Sequence, residues 1–290
     1  MHPAPSLIAF TVLSGLGFGL LFWLGLGLAR PVGWGGFVWF GLGYGLAGAG
    51  FMASAFHLGR PERALRAFSQ WRTSWLSREA VLGVAALAAM APNAVGSVFL
   101  DRPVPVSGWL GAALALATVG ATAMIYAQIR AVPRWNHWST PVVFLTAGLA
   151  GGALLAGLVP LAAMLLPWLA LALLAHWFYG DRRFGQVAQT TGTATGLAPL
   201  GRVRAFEPPH TGSNYLLREM VHVVGRKHAA RLRVLALLGA CLIPAALLWF
   251  TPNVPGVLVA ILLHVLGMLA ARWLFYAEAE HVVGLYYGHR

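Results

Sequence analysis

The sequence predicts an all-α, polytopic transmembrane helix bundle of about eight spans, and three observations predict it. Charged residues are only 10% of the 290, where a soluble globule carries about 25%. Hydrophobic residues make up 59%, and the mean hydropathy is +0.71. Apolar runs of about 20 residues, the length at which a helix crosses a hydrocarbon core, recur along the chain with polar segments between them. Little sequence lies outside those runs, so residues 1–290 read as a single integral membrane domain.

Taken in order, the spans fall at about 7–28, 35–57, 79–100, 107–129, 141–158, 161–179, 232–251 and 256–277. The N-terminus, Met-His-Pro-Ala-Pro-Ser, lacks the positive n-region of a signal peptide, so the first run is expected to stay as an anchor. Spans one and two carry Gly15, Gly17 and Gly19, then Gly41, Gly45 and Gly48. With apolar flanks and no GKS or GKT after them, these glycines read as close helix packing rather than a phosphate loop. Pro92 and Asn93 interrupt the third span. The proline removes a backbone hydrogen bond, which predicts a kink satisfied by neighbours, with Asn93 able to line a cavity. Spans five and six are divided only by Gly157, Pro160 and the apolar residues between them.

Charge asymmetry orients the bundle. Arg30 and Arg102 fall on one side, and the remaining 18 of the 20 Lys and Arg go to the other. That second side holds the 58–78 loop, Arg130 and Arg134, and a long loop over about 180–231. It is expected to be cytoplasmic, with both termini. The long loop exceeds a simple connector and reads as a cap or docking surface. The net charge of +12 is therefore a topology and lipid signal; no soluble basic module is left for nucleic acid.

Cys241 is the only cysteine and sits in an apolar run as a small core residue. One thiol excludes an internal disulfide, a CxxCH haem attachment and a four-thiolate iron–sulfur cluster. A bis-histidine haem would need His176 and His264, which differ in depth by roughly 12 Å at about 1.5 Å rise per residue. No haem is expected, and both histidines read as polar groups satisfied inside the bundle. His210, His222 and His228 lack metal-ligand spacing, so no metal site is expected. Glu278, Glu280 and His281 read mainly as an interfacial surface, or as a proton route to the cytoplasm.

The stretch His57–Glu79, HLGRPERALRAFSQWRTSWLSRE, is the densest polar segment. It joins two spans, so an imidazole and a carboxyl meet at one membrane face among Arg60, Arg63, Arg66, Arg72 and Arg78. Ionisable groups at the edge of a lipid phase suggest function. Pro61 and Glu62 suit the first turn of a short interfacial helix, with Leu65, Phe68 and either Trp71 or Trp75 against lipid. Burial and neighbouring arginines pull on the Glu79 proton in opposite senses. Such groups suit proton exchange with a neutral two-electron carrier such as a quinol, a histidine bonding one oxygen and a carboxylate relaying the proton. Tyr126, Gln128 and Arg130 close the fourth span on the same side and are expected to line that pocket. An interfacial salt-bridge network, an ion-coupled transporter and a purely structural anchor remain open on spacing alone.

That stretch resembles the second-loop signature of the membrane-anchor subunit of bacterial dimethyl sulfoxide reductase. The likeness continues through YAQIRAVPRWNHWSTP (126–141), GRVRAFEPPHTGSNYLLREM (201–220) and RWLFYAEAEHVVGLYYG (272–288). The resemblance implies an eight-helix, haem-free subunit that reacts with menaquinone or ubiquinone. Such a subunit anchors an iron–sulfur subunit and a molybdopterin catalytic subunit, which carry the clusters and the substrate chemistry. It also implies a quinol site at His57, Arg63 and Glu79, flanked by Trp75 and Ser77 of the same motif. The family often has a small residue where Arg60 stands, which adds a positive charge here. The HLGRPERA form resembles anchors of sulfite-oxidising complexes.

Overall fold

The computed structural model describes residues 1–56, 60–186, 190–204, 206–207, 212, 214–220 and 228–287, and over them it is a bundle of helices without a strand. Eight apolar helices form the body: α1 Pro5–Leu26, α2 Gly33–Ala55, α3 Trp75–Phe99 and α4 Pro105–Ala127, then α5 Ser139–Leu155, α6 Val159–Gln186, α7 Ala229–Phe250 and α8 Val254–Ala277. Seven are long and apolar enough to cross a membrane; α5, at 17 residues, is shorter. α5 and α6 are separate helices because Gly157 turns the chain at a φ of 71°. Only a residue without Cβ adopts that backbone at little cost.

α1 is the hub, packing on α2, α4, α5 and α8, while α6 and α7 complete the wall around α5 and α8. Helices approach closely where neither carries a side chain. A Cβ on Gly19 or Gly152 would collide with the backbone of the opposite helix. The packing face of α2 differs from the expected one. Gly41, Gly45 and Gly48 have no atom within 4 Å of an added Cβ, whereas Gly43, Ala47 and Gly50 lie against α1. Glycine content marked the helix, but the rotation of α2 about its axis chose the face.

Prolines are handled by neighbours, as the apolar setting demands. At the Pro92 break, the Ser107 hydroxyl donates to the Ala89 carbonyl at 2.6 Å and accepts the Asn93 N–H at 3.1 Å. In α7 the chain forms a π-turn over Leu238–Leu242, and Pro244 has no N–H to offer the Ala240 carbonyl. His264 of α8 supplies the missing donor at 2.6 Å.

Two boundaries differ from expectation in ways that move the site. α3 begins at Trp75, four residues early, because Ser74 accepts the Ser77 N–H and caps it. α6 runs on to Gln186, carrying Asp181, Arg182 and Arg183 on a helix rather than in a loop. Within the long loop, Thr191–Thr195 is a helical turn closed by a Thr190–Thr193 capping box. It rests on the C-terminal turn Val282–Tyr287 through Tyr286 and Thr191.

Candidate functional site

Because α3 starts early, Glu79 lies one turn inside the helix instead of at its end. It is 3% exposed. Its Oε1 pairs with the hydroxyl of Thr122 on α4, which also reaches the Thr118 carbonyl at 3.0 Å. One hydroxyl proton cannot serve both acceptors fully. With Glu79 protonated, its O–H donates to Thr122 and the Thr122 proton goes to Thr118. With Glu79 ionised, Thr122 turns its proton to the carboxylate. One bond rotation therefore accommodates both protonation states, which a plain structural carboxylate does not need.

Behind this pair lies a second buried polar layer. Tyr126 of α4 and Tyr276 of α8 share a hydrogen bond of 2.7 Å, and Tyr126 sits within reach of the charges of both Glu79 and Arg272. Trp135 seals the layer from the loop side, donating to the Phe275 carbonyl at 2.9 Å and stacking on its ring. Arg272 is buried inside α8, so it does not belong with the loop cations. Its guanidinium stands 3.6 Å over the Phe144 ring. Among the described residues it makes no ion pair, and its Nε has no hydrogen-bond partner.

Toward the loop face, four charges from three helices and a loop close the bundle. Arg233 donates to Asp181 at 2.6 Å and to Glu278 at 2.8 Å. Arg134 pairs with Asp181 at 2.6 Å and reaches Glu278 at 3.7 Å. The expected interfacial role of Glu278 is thus corrected: it is buried, because the end of α8 tucks under Arg134 and Arg233. Burial pushes its carboxyl above the ordinary range, against the pull of those two arginines.

The residues expected to form the site are partly gathered. Glu79, Ser77 and Tyr126 are buried at this end, and Trp75 is half-buried with Arg78 4.4 Å over its ring. Arg60, Arg63, Gln128 and Arg130 are exposed. Arg60 precedes the short 3₁₀ helix Pro61–Phe68 and Arg63 lies in its first turn, while Leu65 and Phe68 point outward as an interfacial helix would. His57 lies outside the described residues. Sequence reasoning missed Thr122, Tyr276 and Arg272. A lone arginine within an apolar span was the available signal for the last; the other two depend on how α3, α4 and α8 meet.

The histidines inside the bundle are only half satisfied by protein. Nδ1 of His176 meets Ser139 Oγ at 2.9 Å, and Nδ1 of His264 meets the Ala240 carbonyl, yet among the described residues Nε2 of each has no partner. A roomier cavity lies elsewhere, about 340 Å³ at the opposite end, bounded by Arg30, Phe40, Ser97 and Trp109. Asn93 lines it, as one reading of the third span anticipated, but its Oδ1 is committed to the Val104 N–H at 2.9 Å.

Comparison with known proteins agrees with this architecture. The DMSO reductase anchor subunit (DmsC) family matches residues 1–278. The chain is 33% identical over 324 aligned positions, covering 99% of both chains, to a sulfite dehydrogenase subunit of Allochromatium vinosum. No solved structure matches. A membrane anchor of an oxidoreductase complex follows from both likenesses, and by sequence and architecture the chain belongs to the DMSO reductase anchor subunit family.

Proposed function

We propose that this chain is the quinone-reactive anchor of a molybdopterin oxidoreductase complex, and that Glu79 is the group exchanging a proton with the quinone. The observation that carries this reading is the buried Glu79–Thr122 pair, which accepts both protonation states without rearranging the backbone. A bound menaquinone or ubiquinone would supply two-electron, two-proton chemistry that protein side chains lack. Chemistry rather than space supports the reading: a carboxyl is held one turn inside the helix, with an aromatic layer of Tyr126, Trp135 and Phe275 behind it, while the cavity beside Thr122, about 10 Å³, takes a water and not a ring. Glu79 holds the proton at its carboxyl oxygen and Thr122 orients that oxygen. The family resemblance adds His57 and Arg63 from the loop just before α3, with Arg60 as an extra cation. The loop-rich face, including the turn Thr191–Thr195, is the surface offered to an iron–sulfur subunit, with a molybdopterin subunit beyond it. We place that face in the cytoplasm of a bacterial cell, on the Lys and Arg asymmetry. The name of the Allochromatium vinosum relative favours electrons passing from sulfite toward quinone.

The test is Glu79→Gln in the assembled complex, which keeps size and hydrogen bonding but cannot ionise. Quinone-linked turnover is expected to fall by about 100-fold or more, the lower range for loss of a general acid–base group. Turnover within about twofold of native, in a complex of normal composition, would remove the proposal.

A further inference from the structure

The cavity of about 340 Å³ at the end of the bundle away from Glu79 carries polar groups that helix packing does not use. It lies among the last turn of α1, the turn after it and the ends of α3 and α4. Its size falls within the roughly 300–1,000 Å³ of ligand sites. Among the described residues that border it, Arg30 alone is charged; Asp101 and Arg102, at the same end, do not border it. Arg30 Nε donates to the Gly27 carbonyl at 2.8 Å, which holds the guanidinium over the end of α1. Among the described residues Arg30 makes no ion pair, and its two terminal nitrogens make no hydrogen bond.

Two buried donors line the same space. Ser97 is 2% exposed, yet its hydroxyl makes no hydrogen bond among the described residues. Other buried helix hydroxyls turn back to a carbonyl of the preceding turn, as those of Ser14, Thr118 and Thr122 do. Asn93 has committed its Oδ1 to Val104, but its amide nitrogen meets only the Met90 sulfur, at 3.9 Å. A thioether is a weak acceptor, so that nitrogen has an N–H left to give. A guanidinium, a hydroxyl and an amide N–H can all donate. With one positive charge among them they suit an anion rich in oxygen acceptors, and no carboxylate borders the cavity to compete with it.

The surface beside the cavity decides what carries that anion. Trp109 borders the space and is exposed, and Val106 and Leu110, on the same face of α4, are exposed as well. An apolar face with a tryptophan at a span end is met by lipid at headgroup depth. An inorganic phosphate has no apolar part to cover such a face. We propose that this cavity binds the headgroup phosphate of a phospholipid: Arg30 pairs with the phosphate, Ser97 and Asn93 donate to its phosphate or ester oxygens, and an acyl chain lies along Val106, Trp109 and Leu110. The bound lipid ties the turn after α1 to the ends of α3 and α4. The site is independent of the Glu79 assignment.

The test uses the whole complex, purified in a phosphate-free detergent, in native form and as Arg30→Gln and Ser97→Leu. Arg30 is exposed, so its variant is expected to assemble; Ser97→Leu fills the cavity from within. Native mass spectrometry with added phosphatidylglycerol should show a tightly held phospholipid in the native complex. Arg30→Gln should weaken its binding about tenfold or more, the size of losing hydrogen bonds to a charged group. Ser97→Leu should weaken it likewise, with quinone-linked turnover native in both variants. Equal retention of the lipid by native and Arg30→Gln complexes overturns the proposal, whatever Ser97→Leu does. Displacement of the lipid by sodium phosphate alone would make this a free-anion site, and displacement by a quinol analogue would make it a quinone site; either overturns the lipid. A map of the complex should show phosphate density within hydrogen-bond distance of the Arg30 guanidinium, and a cavity holding only water contradicts the proposal. Glu79→Gln should retain the lipid as the native complex does, so this assignment and that of the quinone fail separately.

Discussion

The two ends of this bundle use buried polar groups for different purposes. At the opposite end, Asn93 and Ser107 satisfy the backbone around Pro92 of α3, and Asn93 ties the start of α4 to α3. Their hydrogen bonds are closed by backbone, and the cavity beside them has Arg30 at its rim as its one ionisable side chain. At the loop end, Glu79, Tyr126, Tyr276, Arg272 and His176 are buried with protonatable atoms that meet each other or small cavities. Cavity size therefore points to one end and chemistry to the other. Chemistry decides, because a proton-coupled carrier needs groups that gain and lose protons rather than groups already spent on the backbone.

The contrast can be broken or sharpened by substitution. Gly152→Val should have the largest effect, since its Cβ would enter the Gly19 backbone where α1 meets α5. Both ends should fail together, by about 3 kcal/mol or more, seen as lost yield and lowered thermal stability in detergent. Arg233→Gln should act at the loop end alone. It leaves the buried Glu278 with only the 3.7 Å contact to Arg134, a loss of about 2–4 kcal/mol before any repacking. Hydrogen exchange should rise at the ends of α6, α7 and α8 while the Asn93 region stays protected. Asn93→Leu is the mirror experiment. It removes the acceptor for the Val104 N–H, costing about 1–2 kcal/mol, and quinone-linked turnover should stay native.

The smallest effect is a pH dependence at His137. Burial, then the nearby Arg183 charge, holds its imidazole below the ordinary 6.5. A depressed imidazole contributes stability above that ordinary value and loses it as pH falls toward the lowered one. Acidification from pH 7 should therefore loosen the turn before α5, because a protonated Nδ1 cannot accept from Ser139. Amide exchange at Ser139, corrected for its intrinsic pH dependence, should show this in native protein and not in His137→Gln.

Most of the helices were legible because lipid leaves the backbone few choices: long apolar runs must be helical. The start of α3 was not, since Trp75 and Leu76 suit an interface as well as a first turn, and the Ser74 cap decided between them. That shift of one turn carried Glu79 inward and made Thr122 its partner. The face of α2 was illegible for a related reason, because glycines lie all round that helix and only contact with α1 selects Gly43 and Gly50. Glu79 and Tyr126 stood out as polar residues at span ends. Ser139 and Tyr276 did not, because a serine at a helix start and a tyrosine near an interface are ordinary until their partners are known.

The most direct test of the central claim is to label the complex with a photoreactive quinone analogue and to map the labelled peptides. Label on residues 57–79 or on the Thr122–Trp135 segment, competed away by quinol and lost in Glu79→Gln, is the expected result. Label on the Asn93–Trp109 segment beside the larger cavity, unchanged in Glu79→Gln, would contradict it and move the quinone to the opposite end.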